Sequence, residues 1–192
     1  WDIPVGVDDV AAIAPLFASG QPTLVISPCT GQRFRNYRNW RAEWYAQVAD
    51  YAAQRHGAQV LLTGGNTAIE QNYGREIGAA ARCQPKNLIG TTSLKQLLAI
   101  LERASVVLCP DSGPAHMATA VGTPVVGLYA TSNRHRTGPY FSQHLVVDKY
   151  PEALRQGVKG LRIGVLREGF GHPNAEPDVD AKVRAAAERF KS

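Results

Sequence analysis

The chain has 192 residues, 44% of them hydrophobic and 19% charged. That balance excludes a disordered polymer and allows one domain or two small ones. Its net charge of +5 suits an anionic partner (a nucleotide, a nucleic acid or an acidic membrane surface) without choosing among them.

Residues 7–18, "VDDVAAIAPLFA", read as a helix, and "LVIS" at 24–27 as a short strand. Residues 41–56 are helical, with Trp44, Val48 and Tyr51 near helical spacing and Gly57 as a stop signal. "AQVLLTGG" (58–65) is a buried strand running into a glycine pair, and 67–82 is helical. "KNLIG" (86–90) is a strand, and 93–104 a helix with Ser93 as its N-cap. "SVVLC" (105–109) is a strand, Gly113–Val121 a helix, and "PVVGLYA" (124–130) and "HLVVD" (144–148) are strands. Residues 131–143 form a polar loop, and 150–160 a connector. A strand at 161–166 and a helix over 176–190 complete the chain.

Strands and helices alternate, and the strands are continuously apolar. We therefore expect an α/β fold with a doubly wound parallel sheet covered on both faces. We find no internal repeat, signal peptide or membrane-length apolar run. Beginning at Trp1 rather than Met, the chain reads as a piece of something longer. Cys29, Cys83 and Cys109 show no C-x-x-C spacing. Buried thiols in a reducing, cytoplasmic setting are expected, with no disulfide framework and no metal site.

Ligands of such a sheet bind at the carboxyl ends of its strands. Three corners there carry polar chemistry. The first is "PDSGPAH", 110–116. Pro114 fits the first turn of a helix, so the amides of Ser112 and Gly113 would face an anion at the positive dipole end. Gly113 admits close approach to the backbone, and His116, four residues after Ser112, shares its helical face. Equally, Asp111 and Ser112 would serve as plain helix caps and His116 as a local hydrogen-bonding group. The second corner is "TGGNTAIE", 63–70. Its glycines would cradle a phosphate or ribose, with Glu70 accepting hydroxyl hydrogens, or would simply make a tight turn. It is not a P-loop, because no Lys-Ser/Thr follows. The third is "RFRNYRNWR", 33–41, with arginines at 33, 35, 38 and 41. Arginine forks suit phosphates, arginine with interleaved aromatics suits single-stranded nucleic acid, and a solvated face with Trp40 inward is the plain alternative. Arg134, His135 and Arg136 lie on the loop near another strand end. No G-x-S-x-G elbow, H-E-x-x-H motif or Ser-His-Asp order is present.

The stretches "LVISPCTGQRFRNYRNW", "VLLTGGNTAIE", "NLIGTTSLKQLLAILERASVVLCPDSGPAHMATAVGTPVVGLYA" and "TGPY" together resemble the C-terminal half of glycosyltransferase family 9, the ADP-heptose:lipopolysaccharide heptosyltransferases. The resemblance runs from about Trp1 to Leu154. It implies the Rossmann-like, donor-binding half of a GT-B enzyme over 1–154, with a connector and terminal β-α unit over 155–192. It further implies inverting sugar transfer without an obligatory metal. On matching positions, Asp111, Ser112, Gly113 and His116 would meet the sugar and diphosphate. Arg38 would meet phosphates, Glu70 the nucleoside, and Thr92 and Ser93 the base. The family's N-terminal half, with its acceptor surface and general-base aspartate, has no counterpart in the chain, so no catalytic residue is assigned. Residues 160–190 resemble a strand-helix segment of amidase signature enzymes, without that family's Ser-Ser-Lys apparatus.

The implied function is binding of an ADP-heptose-like nucleotide-sugar for lipopolysaccharide core synthesis, without transfer by this half alone. The expected partners are that nucleotide-sugar and the missing acceptor domain. A chimeric scaffold that has lost its ligand is the alternative. A nucleic-acid binder ranks last, because the family resemblance already accounts for the arginine-aromatic run.

Overall fold

The structure, a computed structural model, describes residues 3–31, 38–149 and 151. The chain divides into two units, Trp1–Arg155 and Gln156–Ser192, and the described residues belong to the first. The strand expected at 161–166 and the helix at 176–190 lie outside the described residues.

Six strands form one parallel sheet: β1 (Thr23–Ile26), β2 (Gln59–Leu62), β3 (Lys86–Asn87), β4 (Val106–Pro110), β5 (Val125–Tyr129) and β6 (Val147–Asp148). Their order is β3-β2-β1-β4-β5-β6, the doubly wound order whose direction reverses between β1 and β4. The helices are α1 (Val7–Ile13), α2 (Ala42–His56), α3 (Ala68–Ala80), α4 (Leu94–Arg103), α5 (Gly113–Ala120) and α6 (Arg134–Thr137).

Side-chain alternation along the strands builds two cores. Leu24, Ile26, Val60, Leu62 and Leu108 pack on Ala42, Tyr45, Ala46 and Ala49 of α2 and Ile77 of α3. Val25, Leu61, Val107 and Val125 pack on Ile13 of α1, Leu97, Ile100 and Leu101 of α4, and Ala115 and Ala118 of α5. Both faces of the sheet are covered, so every strand residue can be apolar. The small residues of α2 and α5 let those helices lie close to the sheet. At Gly74 an added Cβ would come within 2.6 Å of Asn87 and 3.0 Å of Ile89, so only glycine permits α3 to approach β3.

Several boundaries differ from expectation. The helix expected over 7–18 gives way to a 3₁₀ turn at Ala14–Phe17. Pro15 sits there and cannot donate the helical hydrogen bond. The strand expected over 86–90 is reduced to Lys86–Asn87, because the chain turns at Gly90 with φ +75°. Residues 143–145 form a 3₁₀ turn before β6. The loop at 131–143 contains α6, capped by the Asn133 side chain on the His135 amide. Arg134 anchors this segment, with Asp148 of β6 at 3.1 Å and the Gln143 carbonyl at 2.8 Å.

Candidate functional site

At the carboxyl ends of β1, β2 and β4, where the sheet order reverses, a cavity of about 410 Å³ opens. Its floor is made by two hydroxyls that follow apolar strands. Ser27 and Thr63 share a 2.6 Å hydrogen bond and are 2% and 0% exposed. Their amides bond to the Leu108 and Ile26 carbonyls, which ties the floor across three strands.

One wall is the N-terminus of α5, with Ser112, Gly113, Pro114 and Met117. Ser112 is extended (φ −153°, ψ 168°) and its hydroxyl donates back to the Pro110 carbonyl at 3.1 Å. No side chain caps this helix. The alternative in which Asp111 and Ser112 are caps is thereby corrected, since both side chains are turned elsewhere. The first-turn N–H groups keep their positive potential for something in the cavity. A Cβ on Gly113 would meet nothing within 4 Å, so the glycine borders open space.

Asp111 faces Arg38 instead. Arg38 Nη1 donates to Asp111 Oδ2 at 3.2 Å and to the Asp111 carbonyl at 3.3 Å. A guanidinium from the loop before α2 is thus held beside the N-terminus of α5. Arg33 and Arg35, with Phe34 and Tyr37, lie outside the described residues.

The opposite wall is the glycine corner. Glu70 Oε1 accepts the Gly65 amide at 2.7 Å, and Oε2 accepts the Thr67 hydroxyl at 2.6 Å and its amide at 3.3 Å. Thr67 and Glu70 form a reciprocal capping box at the start of α3. A Cβ on Gly65 would come within 3.0 Å of Glu70 Oε2, so the glycine lets the backbone reach the carboxylate. Thr92 and Ser93 lie on the cavity's third side. Ser93 caps α4 by accepting the Gln96 amide at 3.1 Å, as expected.

The structure therefore gathers Glu70, Thr92, Ser93, Ser112 and Gly113 on one cavity, with Arg38 and Asp111 paired beside it. His116 is placed differently. One turn further along α5, it lines a second cavity of about 500 Å³ with Thr119, Ala120, Gly138, Tyr140 and Phe141. Sequence reasoning missed Ser27, Thr63 and the capping role of Thr67. Each had a signal: a hydroxyl directly after an apolar strand, and the T-x-x-E spacing.

The thiols are unreactive by environment. Burial, with help from the Glu70 charge, pushes Cys29 on the cavity wall up to about 12. Burial does the same to Cys109 in β4. All three cysteines are free. Among the described residues no group of three or more His, Cys, Asp or Glu is placed to hold a metal ion. Among the same residues no helix is long and apolar enough to cross a membrane.

The family model for glycosyltransferase family 9 (heptosyltransferase) matches residues 1–158. The chain belongs to glycosyltransferase family 9. It is 38% identical over 176 residues to the lipopolysaccharide core heptosyltransferase OpsX of Haemophilus influenzae, covering 92% of this chain and 46% of that protein. The structure of E. coli ADP-heptose lipopolysaccharide heptosyltransferase II matches 100% of this chain and 54% of that one, at 22% identity and a TM-score of 0.62. The family 9 chain thus spans about half the length of these relatives, and its Rossmann-like sheet is that of one half of a GT-B fold.

The chimera alternative finds no support. A match of 176 residues cannot be contained in residues 1–159, so the heptosyltransferase likeness continues into the 160–190 segment. The chain is also 32% identical over 123 residues to a glutamyl-tRNA(Gln) amidotransferase of Synechococcus sp. (strain RCC307), covering 62% of this chain and 24% of that protein. That coverage assigns no family.

Proposed function

We propose that this chain is the donor-binding half of an inverting heptosyltransferase of lipopolysaccharide core synthesis, with an ADP-heptose-like nucleotide-sugar as its ligand. The observation that carries the proposal is the uncapped N-terminus of α5 opening onto a cavity beside an arginine. A diphosphate supplies what that arrangement lacks: an anion for the first-turn amides and for the Arg38 fork. Glu70, already fixed by donors from Gly65 and Thr67, has lone pairs left for ribose hydroxyls. Thr92 and Ser93 border the space left for the base. His116, one turn along α5, faces the direction in which a sugar would leave the diphosphate.

In an inverting displacement the acceptor hydroxyl attacks the anomeric carbon as the bond from that carbon to the diphosphate oxygen breaks. Negative charge then grows on the departing diphosphate. Oriented amides and a guanidinium stabilise that charge without reorganising, which is how such a site accelerates the step without a metal. Acceptor binding and deprotonation fall to the half of the relatives that this chain does not match, so the chain alone binds donor and does not transfer. Calorimetric titration with ADP tests the reading. Saturable binding in the range of roughly 10 μM to 1 mM is expected; no heat with the protein near a millimolar overturns it.

A further inference from the structure

α2 is apolar on two opposite faces. Ala42, Tyr45, Ala46 and Ala49 are buried against the sheet. On the other side Trp44, Val48 and Tyr51 repeat at helical spacing, with Trp40 just before the helix. Trp44 is 39% and Tyr51 61% exposed. With Gln47 these residues line a shallow depression open to solvent. A surface helix ordinarily presents polar residues there, and an exposed apolar patch with a polar rim marks an interaction site.

Rings and cations share this face. The Trp40 and Trp44 rings lie 5.1 Å apart, the Arg41 guanidinium sits 5.1 Å over the Trp44 ring, and His56 meets the Tyr51 ring at 5.5 Å. At 3.6 residues per turn, Arg55 falls within the stripe and Arg41 at its edge. Glu43 and Asp50 fall on the flank, and Asp50 is turned to the amides of Arg82 and Cys83. Carboxylates are thus kept off the face that carries arginine, tryptophan and tyrosine. The lining amounts to five side chains, against the ~20–30 residues per side of a stable protein interface, which argues against a second copy. Amphipathic rings beside arginine match the headgroup layer of an anionic bilayer, and the +5 net charge favours the same surface.

We propose that the outer face of α2 is a peripheral docking surface for an anionic lipid bilayer. The Trp44 and Tyr51 rings enter the headgroup layer, and Arg41 and Arg55 meet lipid phosphates. With 15 residues the helix lies on the bilayer and does not span it. This rests on α2 alone and stands apart from the donor-binding reading.

Co-sedimentation of the full chain with phosphatidylcholine vesicles, with and without phosphatidylglycerol, tests it, with tryptophan emission as a second readout. The expected result is binding to the anionic vesicles, a blue shift on binding, and loss of both at high salt. Trp44→Ser/Tyr51→Ser should lower partitioning at least about tenfold, and Arg41→Gln/Arg55→Gln about fivefold per arginine. Both pairs lie at the surface, and circular dichroism checks that the variants are folded. Either of two results overturns the proposal: no preference for anionic vesicles, or binding unchanged in both variants. A concentration-dependent dimer abolished by Trp44→Ser/Tyr51→Ser overturns it in favour of self-association.

Discussion

Arg38 Nη1 lies 3.2 Å from Asp111 Oδ2, and the two side chains are only 21% and 12% exposed. The pair joins the loop before α2 to the turn before α5, across 73 residues of sequence. It keeps the Asp111 carboxylate occupied and leaves the amides of the next residues facing the cavity. Removing the cation should therefore weaken an anionic ligand more than it weakens the fold. Arg38→Ala is expected to lower ADP affinity about 10- to 100-fold, the value of a charge-assisted contact, measured by calorimetry. An unchanged affinity would remove Arg38 from the site.

Gly113→Leu separates binding from folding. Its Cβ would enter open space and its φ is not among the positive values, so the melting temperature should move by less than about 4 °C. The leucine side chain would occupy the ground above the α5 amides, and ADP binding should fall below detection. Binding at wild-type strength would place the ligand elsewhere.

Glu70 has a structural task as well as the proposed ligand-binding one. Glu70→Ala removes the acceptor of the Gly65 amide and half of the Thr67 capping box. The expected loss is about 1–2 kcal/mol in chemical denaturation. Thr67→Ala should cost a similar amount, and the double variant less than the sum, because both residues serve one box.

Acid stability should carry the signature of Asp50. The amides of Cys83 and Arg82 hold its carboxyl below the ordinary value of 3.8. A group depressed in the folded state stabilises the fold above its unfolded pKa. That contribution is lost as pH falls through the lower folded value. Melting temperature followed from pH 6 to pH 2 should fall more steeply below about pH 4 in the wild type than in Asp50→Asn, which has no such group to titrate.

The fold was legible because the pattern is redundant. Val25 and Ile26, or Leu61 and Leu62, are adjacent and both apolar because α-helices cover each face of the sheet, and that doubling distinguishes a parallel strand from an alternating one. Helix ends at Gly57 and Ser93 followed from backbone chemistry readable in single residues. The stripe of Trp44, Val48 and Tyr51 misleads, since periodicity marks a face without saying which face is buried. The alanines at 42, 46 and 49 mark the buried one, because only small side chains fit between helix and sheet. In the site, Gly113 and Ser112 were readable from Pro114 and the helix start. The Ser27–Thr63 floor depends on β1 and β2 lying side by side, which spacing along the chain does not show. The separation of His116 from the Ser112 cavity is likewise set by the loop that brings Tyr140 and Phe141 over α5.

The most direct test of the central claim, that the α5 N-terminus is a nucleoside-diphosphate site, is an amide-resolved NMR titration of the chain with ADP. The account predicts saturable shifts concentrated at Ser112, Gly113 and Ala115, at Gly64 and Gly65, and at Thr92 and Ser93, with smaller changes on the outer face of α2. Shifts centred away from these residues, or none at millimolar ADP, would contradict it.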